Sequence, residues 1–291
     1  MKARIQILLA ATLFSTGGAA VKMTSLTGWQ VAAFRSGVAA LVMALLLPET
    51  RKRWNGPTLM VAAAYAATLT LFVLSNKLTT SANATFLQST SPLYLLILGP
   101  WLLKESLKKT DLLWMSLLAA GLILVLQEQA VASATATDPV TGNTLAIASG
   151  LTYALMICGL RWLGRRGGGS GLNAAVAGNL MVFLICLPKV LTDSEYWGTG
   201  RDWAVIAWLG VIQIALAYYL LTRGVEHVPA LETSLLILME PALNPIWSML
   251  IHGEKPGPFA LAGGVVILGA TFAILLSGRE SATSLPPKIL E

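Results

Sequence analysis

Charged residues are scarce in this chain of 291 residues: they make up 12% of it, while hydrophobic residues make up 55% and the mean hydropathy is +0.70. Soluble domains average about 25% charged residues, so the composition excludes an ordinary soluble domain. Histidine is rarer still, since only His227 and His252 occur, both near the ends of connecting segments. No metal-ligand spacing is found, and we expect neither a metal site nor a cofactor.

Cysteines and nucleotide-binding motifs are equally scarce. Cys158 and Cys186 both fall inside apolar runs, so we predict free thiols and no structural disulfide. No glycine-rich phosphate-binding loop occurs, which excludes an ATP-driven pump formed by this chain alone. The formal charge of +6 comes from Lys and Arg spread over short connections, a distribution that does not indicate nucleic-acid binding.

Long apolar runs dominate the chain instead. Most approach or exceed the roughly 20 residues that cross about 30 Å of hydrocarbon as a helix, and the alternation of a membrane barrel is missing. We therefore predict an all-α integral membrane protein with ten transmembrane helices. The ten runs are Ile5–Val21, Trp29–Leu47, Trp54–Asn76, Leu78–Leu103, Leu112–Gln127, Pro139–Leu160, Gly167–Pro188, Trp203–Thr222, Pro229–Ile251 and Pro256–Gly278.

The placement of Lys and Arg predicts the orientation of these helices. With the N-terminus inside, fourteen fall in cytoplasmic segments and five in outer segments, as the positive-inside rule requires, and both termini are cytoplasmic. An alternative for the first run is a cleaved signal peptide, because Lys2 and Arg4 precede it and small residues follow it. The five outer cations are Lys22, Lys77, Lys189, Arg201 and Lys255.

The connection Glu128–Gly142 divides the chain. It is rich in Ser, Ala and Thr, has no Lys or Arg, and falls between the fifth and sixth predicted helices. We predict a first five-helix repeat (1–127), an outer linker (128–143), a second five-helix repeat (144–278) and a cytoplasmic tail (279–291). Because five is odd, the second half enters the membrane from the opposite side, which makes the repeats inverted.

Two similar runs support the duplication. PLYLLILGPWLLKE begins at Pro92 and ends at Glu105, and PALNPIWSMLIHGE begins at Pro241 and ends at Glu254. A proline removes a backbone donor and weakens a helix locally, so we predict helix hinges at Pro92, Pro241 and Pro245.

The pattern MEPALNPIWSMLIHGE, its weaker copy in the first half and the arginine of VAAFRSG together resemble the drug/metabolite transporter superfamily. Within it the chain is similar to the EamA-type exporters, in particular the bacterial (aromatic) amino-acid exporters. The resemblance spans residues 3–277 and implies a pathway between the two halves, alternating access and export of small metabolites. The copies differ, since Ser91 stands where the second has Glu240, and Lys104 where the second has Gly253.

Glu240 is the leading candidate site residue. It follows Pro229 by eleven residues, which at about 1.5 Å each places it near the middle of the membrane. A carboxylate there costs roughly 2.5–3.5 kcal/mol on insertion scales. One interpretation is a carboxylate that carries a proton or binds a substrate ammonium group; the other is a structural hydrogen bond to a neighbouring helix. We favour the first.

Arg35 has two interpretations as well. It either reaches the outer interface or pairs with a buried acid, which we favour, or it binds a substrate carboxylate. We interpret Lys22 and Arg161 as interface anchors and Glu232 as a solvated carboxylate near the cytoplasmic mouth.

Other polar residues inside apolar runs either join helices or line the pathway. Tyr65 and Tyr219 also lie deep in these runs and are candidates to face an amphipathic substrate. The further pathway candidates are Ser15, Gln88, Ser91, Tyr94, Tyr153, Asn179, Gln213, Tyr218 and Asn244.

The sequence favours a secondary transporter, not an enzyme, that exports amino acids and related small amphipathic metabolites across a bacterial inner membrane. Its partners are a small-molecule substrate and the lipid bilayer, with protons as a candidate coupling ion. The oligomeric state, and the choice between facilitated and proton-coupled transport, stay open. A nucleotide-sugar or sugar-phosphate carrier is an alternative, although Arg35 is the one cation within a run to bind an anionic substrate. Alternatives of other classes are a membrane-embedded enzyme and a non-transporting membrane protein.

Overall fold

The computed structural model describes residues 1–51, 54–105, 109–127, 137–165, 170–193, 195–252 and 258–276. Every regular element in these ranges is helical. π-helical segments, Gly99–Leu103 and Leu209–Leu216, continue two of the helices. The α-helices are α1 (Lys2–Ser15), α2 (Gly17–Met23), α3 (Gly28–Leu46), α4 (Gly56–Leu78), α5 (Ser81–Gln88), α6 (Ser91–Leu98), α7 (Lys109–Leu126), α8 (Pro139–Arg165), α9 (Ser170–Asp193), α10 (Gly200–Trp208), α11 (Ala217–Val225), α12 (Ala230–Ile237), α13 (Met239–His252) and α14 (Pro258–Leu276).

Some sequence predictions fall outside the described residues. These are the linker segment 128–136, the segment 253–257 with Glu254, and the tail 279–291. The backbone at Pro245 continues α13, and the side chain of Pro245 lies outside the described part of the chain.

Within the described residues, eight helical stretches are long and apolar enough to cross a membrane, and a shorter apolar helix, Leu112–Gly121, lies within α7. The prediction of an all-helical membrane fold is therefore confirmed, while the number of ten helices and their inversion stay predictions. The eight stretches are Lys2–Met23, Gly28–Leu46, Gly56–Leu78, Asn83–Leu103, Pro139–Arg165, Gly171–Thr192, Gly200–Val225 and Ala230–Ile251.

Side-chain caps fix where several helices begin. Thr27 accepts a hydrogen bond from the Gln30 backbone at 3.2 Å, and the Thr27 N–H donates to Gln30 Oε1 at 2.9 Å. Thr199 and Asp202 form the same reciprocal cap at the start of α10, and Asn55 caps α4. The first N–H groups of a helix have no intrahelical partner, so these caps satisfy them.

Helix breaks precede the two repeated prolines. Ser89 and Thr90 separate α5 from α6, and Leu238 separates α12 from α13. Pro92 and Pro241 fall in the first turns of α6 and α13, where a missing N–H breaks no intrahelical hydrogen bond. The interruptions therefore lie just before the prolines rather than at them.

The halves on either side of the predicted linker share one core. Helix α4 packs between α8 and α9, α3 packs on α9, and α1 packs on α11. Glycine permits the closest approach: a Cβ on Gly178 of α9 would lie 2.6 Å from the Tyr65 ring and 2.9 Å from the carbonyl oxygen of Ala62. Small residues let membrane helices pack closely in this way.

Candidate functional site

Glu240 is a buried carboxylate beside the helix break at Leu238. It lies in the first turn of α13 and is 7% exposed. Among the described residues, no hydrogen bond or ion pair reaches the Glu240 carboxylate. A buried carboxylate is costly unless it is paired or hydrogen-bonded. The second interpretation from the sequence, a structural hydrogen bond to a neighbouring helix, has no such bond among the described residues to support it.

Arg35 is a buried cation on α3 and is 1% exposed. Its Nη1 donates to Gln213 Oε1 at 3.4 Å and its Nη2 donates to the Leu69 carbonyl at 3.3 Å. Both distances are longer than the usual 2.9–3.0 Å or so, and Nε has no partner. Within the described chain Arg35 has no ion pair, and it does not reach the outer interface. The interpretation that we favoured from the sequence is therefore wrong.

Tyr218 joins these two charges. Its hydroxyl lies within electrostatic reach of both Arg35 and Glu240. Its ring packs on Phe14 with a centroid distance of 4.8 Å and on Tyr65 with a centroid distance of 4.5 Å. Tyr218, with its aromatic neighbours, thus has both the buried cation and the buried carboxylate within electrostatic reach.

Asn244 extends the Glu240 side of the cluster. It lies one helical turn beyond Glu240, on the same face of α13. Its Nδ2 donates to Thr85 Oγ1 at 2.9 Å and to Ser81 Oγ at 3.4 Å, whereas its buried Oδ1 has no partner. Gly18 lies against this contact, because a Cβ there would lie 2.0 Å from Ser81 Oγ. The hydrogen bonds hold α13 against α5 and leave one acceptor unused.

Other buried polar side chains satisfy one another. Trp247 Nε1 donates to Ser15 Oγ at 2.8 Å, beside the break between α1 and α2. Gln88 Nε2 donates to Ser149 Oγ at 2.7 Å, and Ser149 Oγ donates to the Thr68 carbonyl at 3.1 Å. These bonds join helices in the way expected of polar groups in a membrane interior.

Ion pairs gather at one end of the bundle, which we name the Arg4 end. Arg4 Nε lies 2.6 Å from Glu232 Oε1. Glu105 Oε1 lies 3.1 Å from Arg161 Nε and 2.8 Å from Arg165 Nη2. The predictions that Arg161 anchors the interface and that Glu232 is solvated are therefore wrong, because both side chains are buried in ion pairs.

Beside this network, burial raises the pKa of the Glu226 carboxyl above its usual range, although Arg223 and His227 lower it.

The opposite end, which we name the Lys77 end, is held by lysine hydrogen bonds to backbone carbonyls. Lys22 Nζ donates to the Thr79 carbonyl at 2.8 Å, and Lys77 Nζ donates to the Thr24 carbonyl at 2.9 Å.

The sequence matches the model of the EamA-like transporter family over residues 1–127 and 140–276. This chain belongs to the EamA-like transporter family. The predicted resemblance is thereby confirmed, and the chain is a multi-pass membrane protein of a family of transporters rather than enzymes.

Two relatives of this EamA-family protein are exporters. The threonine/homoserine exporter RhtA of Escherichia coli (strain K12) is 26% identical over 291 residues, which cover 96% of this chain and 93% of RhtA. The pseudopaline exporter CntI of Pseudomonas aeruginosa (strain UCBPP-PA14) is 23% identical over 272 residues, covering 91% of this chain and 93% of CntI. A crystal structure of another protein shares the fold, with a TM-score of 0.75 and 18% identity over 94% of this chain and 96% of that one.

The EamA-family fold brings part of the predicted site together. Tyr153 lies within electrostatic reach of Tyr218 and Glu240, and Asn179 Nδ2 donates to Tyr65 OH at 2.8 Å. Ser91 is buried at the start of α6, apart from any described hydrogen bond. Tyr94 is half-buried on α6 and packs against the hydrophobic core of the bundle. The candidates gathered around Tyr218 are Arg35, Tyr153, Gln213 and Glu240, with Asn179 linked through Tyr65.

Several residues of this EamA-family site were not predicted as site residues. Ser81 and Thr85 share one face of α5 with Gln88, a spacing of four and three residues that the sequence does display. Phe14 is one of many apolar residues in its run, and its ring contact with Tyr218 depends on tertiary packing. The missed residues are Phe14, Ser81, Thr85, Ser149 and Trp247.

Proposed function

We propose that this EamA-family protein is a secondary transporter that exports amino acids and related small amphipathic metabolites across a bacterial inner membrane by alternating access. The observation that carries the proposal is Glu240, a buried carboxylate without a partner in the described chain, placed beside a helix break. Ionisable residues inside membrane bundles usually mark a substrate or ion pathway. The names of the two exporter relatives support the substrate class.

The proposed architecture has ten transmembrane helices in two inverted repeats (1–127 and 144–278), joined by an outer linker (128–143). Three observations support it. Besides the eight stretches that are long and apolar enough to cross a membrane, there are two further helices, α7 and α14, which pack on each other. The family model matches two separate ranges. The breaks before Pro92 and Pro241 correspond to each other in the two halves.

In the proposed orientation both termini, and with them the Arg4 end, face the cytoplasm. The Arg4–Glu232 pair joins α1 to α12, and Glu105 joins the segment after α6 to α8 and α12 through Arg161 and the Ala230 N–H at 3.0 Å. These contacts keep the Arg4 end closed in this conformation. An outgoing substrate enters the bundle when they separate.

Glu240 contributes a charge that has to be compensated during each cycle. A proton or a substrate ammonium group does so, and either removes the cost of an isolated buried carboxylate. Protons are therefore the proposed coupling ion. Movement at Leu238, the break just before Glu240, would expose the carboxylate to each side in turn.

The test is transport of a panel of radiolabelled amino acids by purified protein in liposomes, with and without a pH gradient. We expect efflux by the wild type, and loss of the response to the gradient in Glu240→Gln. The matched control is Glu195→Gln at an exposed position, which should transport like the wild type. No transport of any panel member by the wild type would overturn the proposed function.

A further inference from the structure

We propose that Arg35 and Glu240 are the two ends of one binding site for a zwitterion, at which Arg35 binds the carboxylate and Glu240 binds the ammonium group of an α-amino acid. This inference rests on the proposed function, because it names the chemical class that the central site accepts. It assigns selectivity to two named side chains rather than to the bundle as a whole.

The Arg35 end offers unused donors. A guanidinium carries five N–H donors in a planar fork that matches a carboxylate in bidentate geometry. Among the described residues, only two donors of Arg35 are engaged, at 3.4 Å to Gln213 and 3.3 Å to Leu69, and Nε has no hydrogen-bond partner. With no acidic partner in the described chain, this buried cation lacks the acceptor that usually accompanies it.

The Glu240 end offers unused acceptors. Its carboxylate has no described partner, and the Oδ1 of Asn244, one turn further along the same helix face, is buried and unpaired. Since an ammonium group has three donors and no acceptor, two neighbouring acceptors suit it. The hydrogen bonds from Asn244 Nδ2 to Thr85 and Ser81 orient the amide so that its oxygen stays free.

The surroundings of Tyr218 suit a small amphipathic molecule. Arg35 and Glu240 do not form an ion pair, yet the Tyr218 hydroxyl lies within electrostatic reach of both. The rings of Tyr218, Phe14 and Tyr65 pack together there and provide apolar surface for a side chain. A group that carries both charges compensates both ends at once.

Other substrate classes compensate only one end. An amine without a carboxylate leaves the Arg35 charge uncompensated, and an anion without an ammonium group leaves Glu240 uncompensated. A buried charge left without its partner is strongly unfavourable. The wild type should therefore select against both.

The first test uses the wild type alone, reconstituted in liposomes, with three radiolabelled probes. These are L-threonine, L-threonine amide, which lacks the carboxylate charge, and N-acetyl-L-threonine, which lacks the ammonium charge. We expect transport of threonine and at least a tenfold lower kcat/KM for each analogue. Equal transport of threonine and either analogue overturns the inference while leaving the proposed function in place.

The second test asks which residue is responsible for each discrimination. Arg35→Gln should lose most of the discrimination against the amide but keep that against the N-acetyl compound, and Glu240→Gln should do the reverse. Arg51→Gln and Glu195→Gln make the same substitutions at exposed positions and should keep both. If Arg35→Gln and Glu240→Gln change all three probes by the same factor, the assignment of the two ends is wrong. If the wild type transports neither threonine nor any other amino acid, the proposed function itself fails.

Discussion

Buried polar side chains in this protein fall into two groups. One group is satisfied, as in the bonds Gln88–Ser149 and Trp247–Ser15. The other has atoms without partners in the described chain, and Arg35 Nε is an example. Native proteins leave few buried polar atoms unpaired, so the first group stabilises the helix contacts, and we propose that Arg35 and Asn244 of the second group bind the substrate.

The satisfied group yields a stability prediction. Trp247→Phe removes the indole N–H that donates to Ser15 Oγ and keeps an aromatic ring, so we expect a loss of about 0.5–1.5 kcal/mol in the free energy of unfolding. The measurement is the melting temperature in detergent. Trp101→Phe at an exposed position is the control and should change little. Equal shifts in both variants would show that the Ser15 hydrogen bond contributes nothing.

Composition and motif were enough to predict the family and to single out Glu240. They were not enough to pair the charges, because Arg4 and Glu232 are 228 residues apart and meet only through packing of the two halves. For the same reason Arg161 was wrongly interpreted as an interface anchor and Glu232 as a solvated carboxylate. Residue type predicts the cost of burial, whereas only tertiary contacts tell whether a partner offsets it.

At the scale of helices, interruptions and close approaches position the site. The prolines at 92 and 241 allowed us to predict where helices weaken, and the structure moves each interruption slightly upstream, because proline is best tolerated in the first turn of the next helix. The contact of α4 with α9 then depends on Gly178, whose missing side chain makes room for Tyr65 and the Ala62 carbonyl. Such a contact could not be derived from the sequence, which has 26 glycines.

Gly178→Ala tests that contact. The added Cβ would lie 2.9 Å from a backbone oxygen that cannot rotate away, so α9 has to move, and we expect a destabilisation of about 1–3 kcal/mol with lower transport. Gly56→Ala is the matched control, because a Cβ there meets nothing within 4 Å. The measurement is the melting temperature of each variant, which should be lower for Gly178→Ala than for Gly56→Ala. Equal melting temperatures would contradict the close approach of α9 to α4.

At the scale of the whole molecule, the two ends of the bundle differ in chemistry. The Arg4 end is held by buried ion pairs, and the Lys77 end is held by lysine hydrogen bonds to carbonyls. Alternating access requires one end to open while the other stays closed. We therefore propose that the ion pairs stabilise a conformation that is closed at the Arg4 end.

Glu232→Gln should open the Arg4 end more often. Removing one partner of a buried ion pair costs roughly 3–5 kcal/mol, and even a third of that raises the open population about tenfold. Cys158 is buried and lies within electrostatic reach of Glu105, so its labelling by a maleimide should accelerate by on the order of tenfold.

Cys186 is the internal control for that measurement. It is also buried and free, but it lies within electrostatic reach of Arg35 in the centre of the bundle rather than at the Arg4 end. Its labelling should change less than that of Cys158. Unchanged labelling of Cys158 in Glu232→Gln would show that the ion pair does not keep this end closed.

The most direct measurement for the central claim is equilibrium binding of radiolabelled amino acids to the purified protein. We predict saturable binding of at least one amino acid to the wild type, and weaker binding of it in both Arg35→Gln and Glu240→Gln but not in Arg51→Gln or Glu195→Gln. Undiminished binding in the first two variants would contradict the account, because it would place the substrate away from the two unpaired charges.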